Sequence, residues 1–165
     1  MIRRCADVDV ATTDAIINEA AKAYRGVIPV DCWHEPYMPR SELLAEIAAG
    51  VVFWGWQDLD SLVGVMGLQT VRHVTLIRHA YVRPAFQGRG IGTALLDELS
   101  GQITGRLLVG TWAAAAWAVR FYIRNGFRQV SAPEKQRLLQ TYWSVPLRQQ
   151  EHSVVLERQM PRGRR

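Results

Sequence analysis

Apolar positions along the chain change period several times, and those changes divide it into strands and helices. Residues 2–4 predict a short first strand. Ile16, Ile17, Ala20 and Tyr24 then recur at helical spacing, with Thr12 and Thr13 placed as caps and Gly26 as the expected stop. Residues 27–39 break the period with three prolines and an aromatic cluster, a loop long enough to suggest a function. Ser41 is placed to cap a second helix that carries Leu43, Leu44 and Ile47 and runs to Gly50. Residues 51–57 and 62–70 are rich in apolar and aromatic side chains around a polar turn at 58–61, the pattern of two hairpin strands, and residues 73–82 predict a third.

After Pro84 the helical period returns, with Ile91, Ala94, Leu95 and Leu99 on one face and Ser100-Gly101 near the stop. Residues 106–110 predict another strand. Residues 113–125 predict a helix in which Trp117 and Phe121, and Ala118 and Tyr122, pair at i, i+4, closed by Asn125-Gly126. Residues 127–130 lead back into the sheet, 133–141 predict an extra helix and 153–159 a final strand. This order predicts one mixed α/β domain over residues 1–160: a central twisted sheet of about seven strands, antiparallel first and parallel in the middle, flanked by helices. Residues 161–165 read as a basic disordered tail.

Composition narrows the function classes. With 165 residues, 48% hydrophobic and 21% charged, the chain suits a single globular domain and is a poor fit to disorder or repeat arrays. Its net charge of +5 favours anionic partners. Two cysteines, Cys5 and Cys32, make neither a disulfide framework nor a metal site, so no metal is expected. Asp7 and Asp9 interrupt the N-terminus before a signal-like apolar run develops, and no stretch has the length of a membrane helix; the expected location is cytoplasmic, without a membrane partner. Arg106, Arg120, Arg124 and Arg128 form no known nucleic-acid motif and read as a solvated face.

The chemistry-bearing segment is residues 79–96. Gly88, Gly90 and Gly92 fall at alternate positions between a strand and an amphipathic helix, where they let the backbone turn tightly and bring its N–H groups close to a ligand. The helix N-terminus adds positive potential, and Arg83 and Arg89 add charge, so a pyrophosphate is a plausible occupant. The spacing departs from the dinucleotide fingerprint G-x-G-x-x-G, and no Gly-Lys-Ser/Thr follows for a P-loop.

Here the sequence resembles the GNAT superfamily of acyl-CoA-dependent N-acyltransferases, whose signature Q/R-x-x-G-x-G/A is matched by Gln87-x-x-Gly90-x-Gly92. A second block, Leu107-Leu108-Val109-Gly110 followed by Ala118, Tyr122 and Gly126-Phe127, is similar to the family's next strand and helix ending. The resemblance implies that Gln87, Gly88, Arg89, Gly90, Ile91, Gly92 and Thr93 hold the pyrophosphate of acetyl-CoA, and that Tyr81 and Val82 pair with its pantetheine arm. It also implies direct acetyl transfer to an amine of a small molecule, peptide or protein in a ternary complex. One position departs from the pattern: Ala115 stands where many members carry an Asn, leaving backbone, loop or Thr111 to hold the cofactor.

Tyr122 reads either as a core tyrosine packed on Ala118 or, by resemblance, as the acid that protonates the departing thiolate. The strand before the loop carries no carboxylate where many members place a Glu. His79 and His73 on that strand, or His34 and Glu35 from the long loop, are its possible substitutes, and each also reads as an ordinary sheet or surface residue. Trp33, His34, Glu35, Tyr37 and Trp143 lie in regions that resemble the family's acceptor walls; they suit a pocket, core packing or a homodimer contact equally. The alternatives to an enzyme are a catalytically silent acyl-CoA-binding sensor on the same fold and a basic nucleic-acid-binding module.

Overall fold

The computed structural model describes residues 1–160, so the expected tail lies outside the described residues. Seven strands, β1 (Ile2–Arg4), β2 (Val52–Asp58), β3 (Ser61–Val71), β4 (Val74–Val82), β5 (Gly105–Trp112), β6 (Arg128–Gln129) and β7 (Ser153–Met160), form one sheet in the order β1-β2-β3-β4-β5-β7-β6. Among the described residues β4 and β5 form the parallel pair and the other pairings are antiparallel. The sheet is thus the mixed seven-stranded one expected from the pattern.

Alternation along the strands sends neighbouring residues to different cores. Leu107 joins Ile77, Val63 and Val109 under α3 (Ile91–Ser100), which contributes Leu95, Leu96 and Leu99. Leu108 joins Val74, Leu76 and Val155 under α5 (Ala132–Tyr142), through Leu138 and Leu139. Ile16 and Ile17 of α1 (Val10–Ala21) and Leu43 of α2 (Arg40–Ala48) pack on Phe53, Leu62 and Val65. Leu107, Leu108 and Leu99 have no exposed surface, and each such side chain stabilises the fold by about 1.5–3 kcal/mol.

Several boundaries differ from the pattern. Thr12 and Thr13 lie inside α1, because a 3-10 turn at Asp7–Asp9 precedes it and the Asp9 carboxylate accepts the Ala6 amide at 2.7 Å and a bidentate bond from Arg3. Ser41 is likewise inside α2, whose cap position holds Pro39. The last long helix before the Gly-Phe pair, α4 (Ala116–Arg124), starts later than expected: the Ala113 amide bonds the His152 carbonyl at 2.8 Å and the Ala115 amide bonds the Trp112 carbonyl at 3.0 Å, which makes 113–115 a turn. A short helix, α6 (Leu147–Glu151), was not expected.

Two irregularities in β4 shape the centre of the sheet. Val65 opposes Tyr81 and Gly67 opposes Arg78, so His79 and Ala80 together face Met66; His79, at φ 56°, is the residue that absorbs this bulge. Gly67 is required beside it, since a Cβ there would lie 2.6 Å from the Arg78 carbonyl oxygen. Beyond the bulge β4 leaves β5: their pairing stops at Ile77 and Val109, whereas β5 stays paired to β7 as far as Trp112 and Ser153.

Candidate active site

The divergence of β4 and β5 leaves the β4 edge beyond Ile77 without a strand partner on that side, and two hollows meet there. The larger, ≈ 580 Å³, runs from Tyr81 and Val82 past the glycine loop to Trp117, Phe121 and Tyr122 of α4. The smaller, ≈ 120 Å³, is lined by Tyr37, His79, Trp112 and Trp143 among others. Tyr24 and Tyr81 line both, with their hydroxyl oxygens 3.4 Å apart. Burial raises the pKa of each of these two phenols, so both stay protonated.

The larger groove has the properties of an anion cradle. Gly88 and Gly90 adopt φ 77° and 79°, and a Cβ at either would meet nothing within 4 Å, so the loop is open toward the groove. Gly90 caps α3, and the amides of Ile91, Gly92 and Thr93 have no acceptor among the described residues. Gly92 serves packing as well: its Cα faces the Phe121 ring, which a Cβ would approach to 3.3 Å. Gln87 turns back to donate to the Val82 carbonyl at 3.0 Å, tying loop to strand end.

The two arginines are arranged otherwise than expected. Arg83 turns away from the groove to pair with Glu19 of α1 at 2.5 Å, because that carboxylate and the Leu62 carbonyl lie within its reach. The Arg89 guanidinium lies 5.0 Å over the Phe86 ring, beside the groove but not lining it. Arg124 lines the groove instead.

Tyr122 is 5% exposed and sits edge-on between Phe121 and Phe127, with ring centroids 5.1 and 5.3 Å away. Its hydroxyl makes no hydrogen bond among the described residues, and burial raises its pKa, so it faces the groove as a neutral phenol. Ala115 is fully buried at the start of α4 and offers the site no polar group.

Around the smaller cleft the aromatic residues separate. Tyr37 and Trp143 both line it; the Tyr37 hydroxyl accepts the Trp112 indole N–H at 2.7 Å, and Trp143 lies over Gly110, which leaves it room. Trp33 and His34 stand behind Tyr37, stacked at 6.0 and 6.2 Å, and do not line the cleft. His34 is exposed and bonds the Pro36 carbonyl through Nδ1, Glu35 is also exposed and outside the cleft, and so is His73. The long loop therefore supplies one wall residue, not the whole wall.

His79 lines the cleft and bonds Glu46 of α2 through Nε2; Arg78 reaches the same carboxylate at 2.5 Å. Burial pulls the Glu46 pKa upward, but the hydrogen bonds and charges of His79 and Arg78 outweigh it and hold the carboxyl below its ordinary value. Glu46, Tyr24 and Trp117 are site residues the sequence reading missed. Trp117 stacks on Tyr24 at 6.0 Å across the groove mouth. It is 41% exposed, unusually open for so large an apolar side chain.

Residues 49–129 match the model of the acetyltransferase (GNAT) domain. No curated protein sequence matches the chain. Among solved structures, the chain is similar to the PaiA N-acetyltransferase from Thermoplasma acidophilum in complex with coenzyme A, at 18% identity and TM-score 0.72 over 96% of this chain and 98% of that one. It is also similar to a GNAT-family acetyltransferase from Staphylococcus aureus (18%, TM-score 0.72, 97% and 98% covered). A ribosomal-protein-alanine N-acetyltransferase from Brucella melitensis matches at 18% and TM-score 0.66, with 96% and 98% covered. Fold, glycine loop and family model agree: residues 49–129 match the GNAT acetyltransferase domain, and the chain as a whole shares the fold of the solved GNAT structures.

Proposed function

We propose that the protein transfers the acetyl group of acetyl-CoA directly to an amine within a ternary complex. The observation that carries this reading is the junction of the two hollows: Tyr24 and Tyr81 line both, so a thioester in the groove and an amine in the cleft would meet across the unpaired end of β4. Bound acetyl-CoA supplies the acyl group and a thiolate leaving group. The amides of Ile91, Gly92 and Thr93 hold its pyrophosphate, Gln87 fixes the loop, and the free edge of β4 at Tyr81 and Val82 binds the pantetheine arm.

Tyr122 donates its hydroxyl proton to the departing sulfur. A phenol held neutral by burial is available for this at any physiological pH. The amine loses its proton toward His79. No cysteine lines either hollow, which favours direct attack over an acyl-enzyme. The cleft holds the space of only a few water molecules between Tyr37 and Trp143, so the acceptor places a slender amine arm there and keeps any bulk outside.

The test is release of free thiol from acetyl-CoA with a panel of small amines and peptides carrying a free N-terminus. Turnover with at least one class is expected. CoA binding by calorimetry without turnover on any acceptor would instead favour an acyl-CoA sensor, the function that Ala115 in place of a polar residue leaves open.

A further inference from the structure

In a regular strand Arg78 and His79 would point to opposite faces. The bulge at His79 turns both toward α2, where they share one carboxylate: Glu46 accepts from Arg78 through Oε1 and from His79 Nε2 through Oε2. The side chains of Glu46 and His79 are each 18% exposed, so the contact is largely shielded from solvent. An ionised carboxylate only accepts hydrogen bonds, so Nε2 must carry the hydrogen and a neutral His79 keeps its lone pair on Nδ1.

We infer that Glu46 is a positioning residue that holds His79 in the Nε2–H tautomer and so leaves Nδ1 to take the proton of an amine in the aromatic cleft. The base assignment rests on the acetyl-transfer reading; the tautomer does not. As the C–N bond forms and the C–S bond breaks, the amine proton passes to Nδ1 and Tyr122 gives its proton to sulfur; Glu46 balances the imidazolium until solvent takes its proton and returns one to the Tyr122 phenolate. Besides Glu46, the ring has Arg78 beside it on β4, itself held by Gln69 of β3 at 3.0 Å. Phe53 of β2 stacks at 6.2 Å, and the hydroxyls of Tyr24, Tyr37 and Tyr81, neutral through burial, share the cleft.

Nuclear magnetic resonance of the ¹⁵N-histidine-labelled full chain decides the matter without an acceptor. The chain has four histidines, so His79→Gln assigns the signal. Neutral His79 should show the Nε2–H tautomer, and Glu46→Ala, which removes the acceptor, should let the Nδ1–H form appear. An Nδ1–H tautomer in the wild type overturns the inference even if Glu46→Ala fails to fold, and so does an unchanged tautomer in a folded variant. On any acceptor that turns over, Glu46→Ala should lower kcat about 10-fold while CoA affinity stays unchanged. An unchanged kcat refutes the base role. If the wild type acetylates no amine, the function reading fails while the tautomer result still stands on its own.

Discussion

Gly90→Val separates two roles of one residue. Gly90 is held at φ 79° at the cap of α3, and a Cβ there meets no atom within 4 Å, so the stability cost is a backbone cost alone. A non-glycine residue held in that region costs about 1–3 kcal/mol, which for a chain of this size lowers Tm by about 2–12 °C. Binding is a separate quantity. The space the valine enters is the space through which the amides of Ile91, Gly92 and Thr93 would be approached, and each amide bond to a charged phosphate contributes about 1.5–3 kcal/mol. Losing one such bond weakens CoA by about 10- to 150-fold. Gly50→Val is the control: Gly50 has φ 106°, nothing within 4 Å of its Cβ position, and lines neither hollow. It should lose stability without losing affinity. Scanning calorimetry and CoA titration of both variants are the assay, and wild-type CoA affinity in a folded Gly90→Val would refute the assignment of the cradle.

Tyr122→Phe should lower turnover by about 10²–10⁴ while CoA affinity and Tm change little, because the hydroxyl has no bond among the described residues to lose; full activity would remove Tyr122 as the acid. Trp143→Ala opens the wall that Trp143 forms over Gly110 and should flatten discrimination among amines by about 1–3 kcal/mol in kcat/KM; an unchanged ranking on the same panel contradicts the wall. Arg3 and the Ala6 amide hold the Asp9 carboxyl down to about 2, well below the ordinary aspartate range. Being depressed in the folded state, it contributes stability fully above about pH 4 that is lost as pH falls toward 2, so the wild type should shed its stability advantage over Asp9→Asn across that window in acid-unfolding curves. Burial pushes the Cys5 thiol up to about 11, and it should stay unmodified by a thiol reagent at pH 8, as mass spectrometry of Cys5 and Cys32 peptides will report.

The elements that could be read from sequence are those whose cause is local. Gly88 and Gly90 announce their loop because few other residues tolerate such a backbone, and of the apolar stripe of α3 Ile91, Leu95 and Leu99 are buried, while Ala94 is half-buried and Leu96 and Ser100 join them. Helix starts were less legible, since the decisive partners lie elsewhere in the chain: Arg3 for Asp9, and His152 for the turn before α4. With five residues, polar sequence and Pro146 at its cap, α6 offers too little periodicity to detect. The site divides in the same way. The glycine loop lines the larger groove, and so does Tyr122, to which the resemblance pointed. Glu46 looks like one more solvent-side carboxylate of a helix; only the bulge, which depends on the close approach of Gly67 to Arg78, brings it to His79. Arg83 looked like a phosphate ligand because Glu19, its partner, is 64 residues away.

The parting of β4 from β5 also bears on the ligand-free protein. A strand interrupted in the middle of a sheet leaves amides and carbonyls that water must satisfy, so hydrogen exchange along β4 should fall into two classes: slow where Val74–Ile77 pair with Arg106–Val109, and faster beyond them on the side that faced β5. Such a free edge invites pairing with another chain. Here it lies inside the fold, beneath α1 and α4, where a slim extended arm can enter and a second sheet cannot. An acyl carrier that completes the edge acts as an eighth strand, raising thermal stability in proportion to the logarithm of its concentration and slowing exchange of the same few amides.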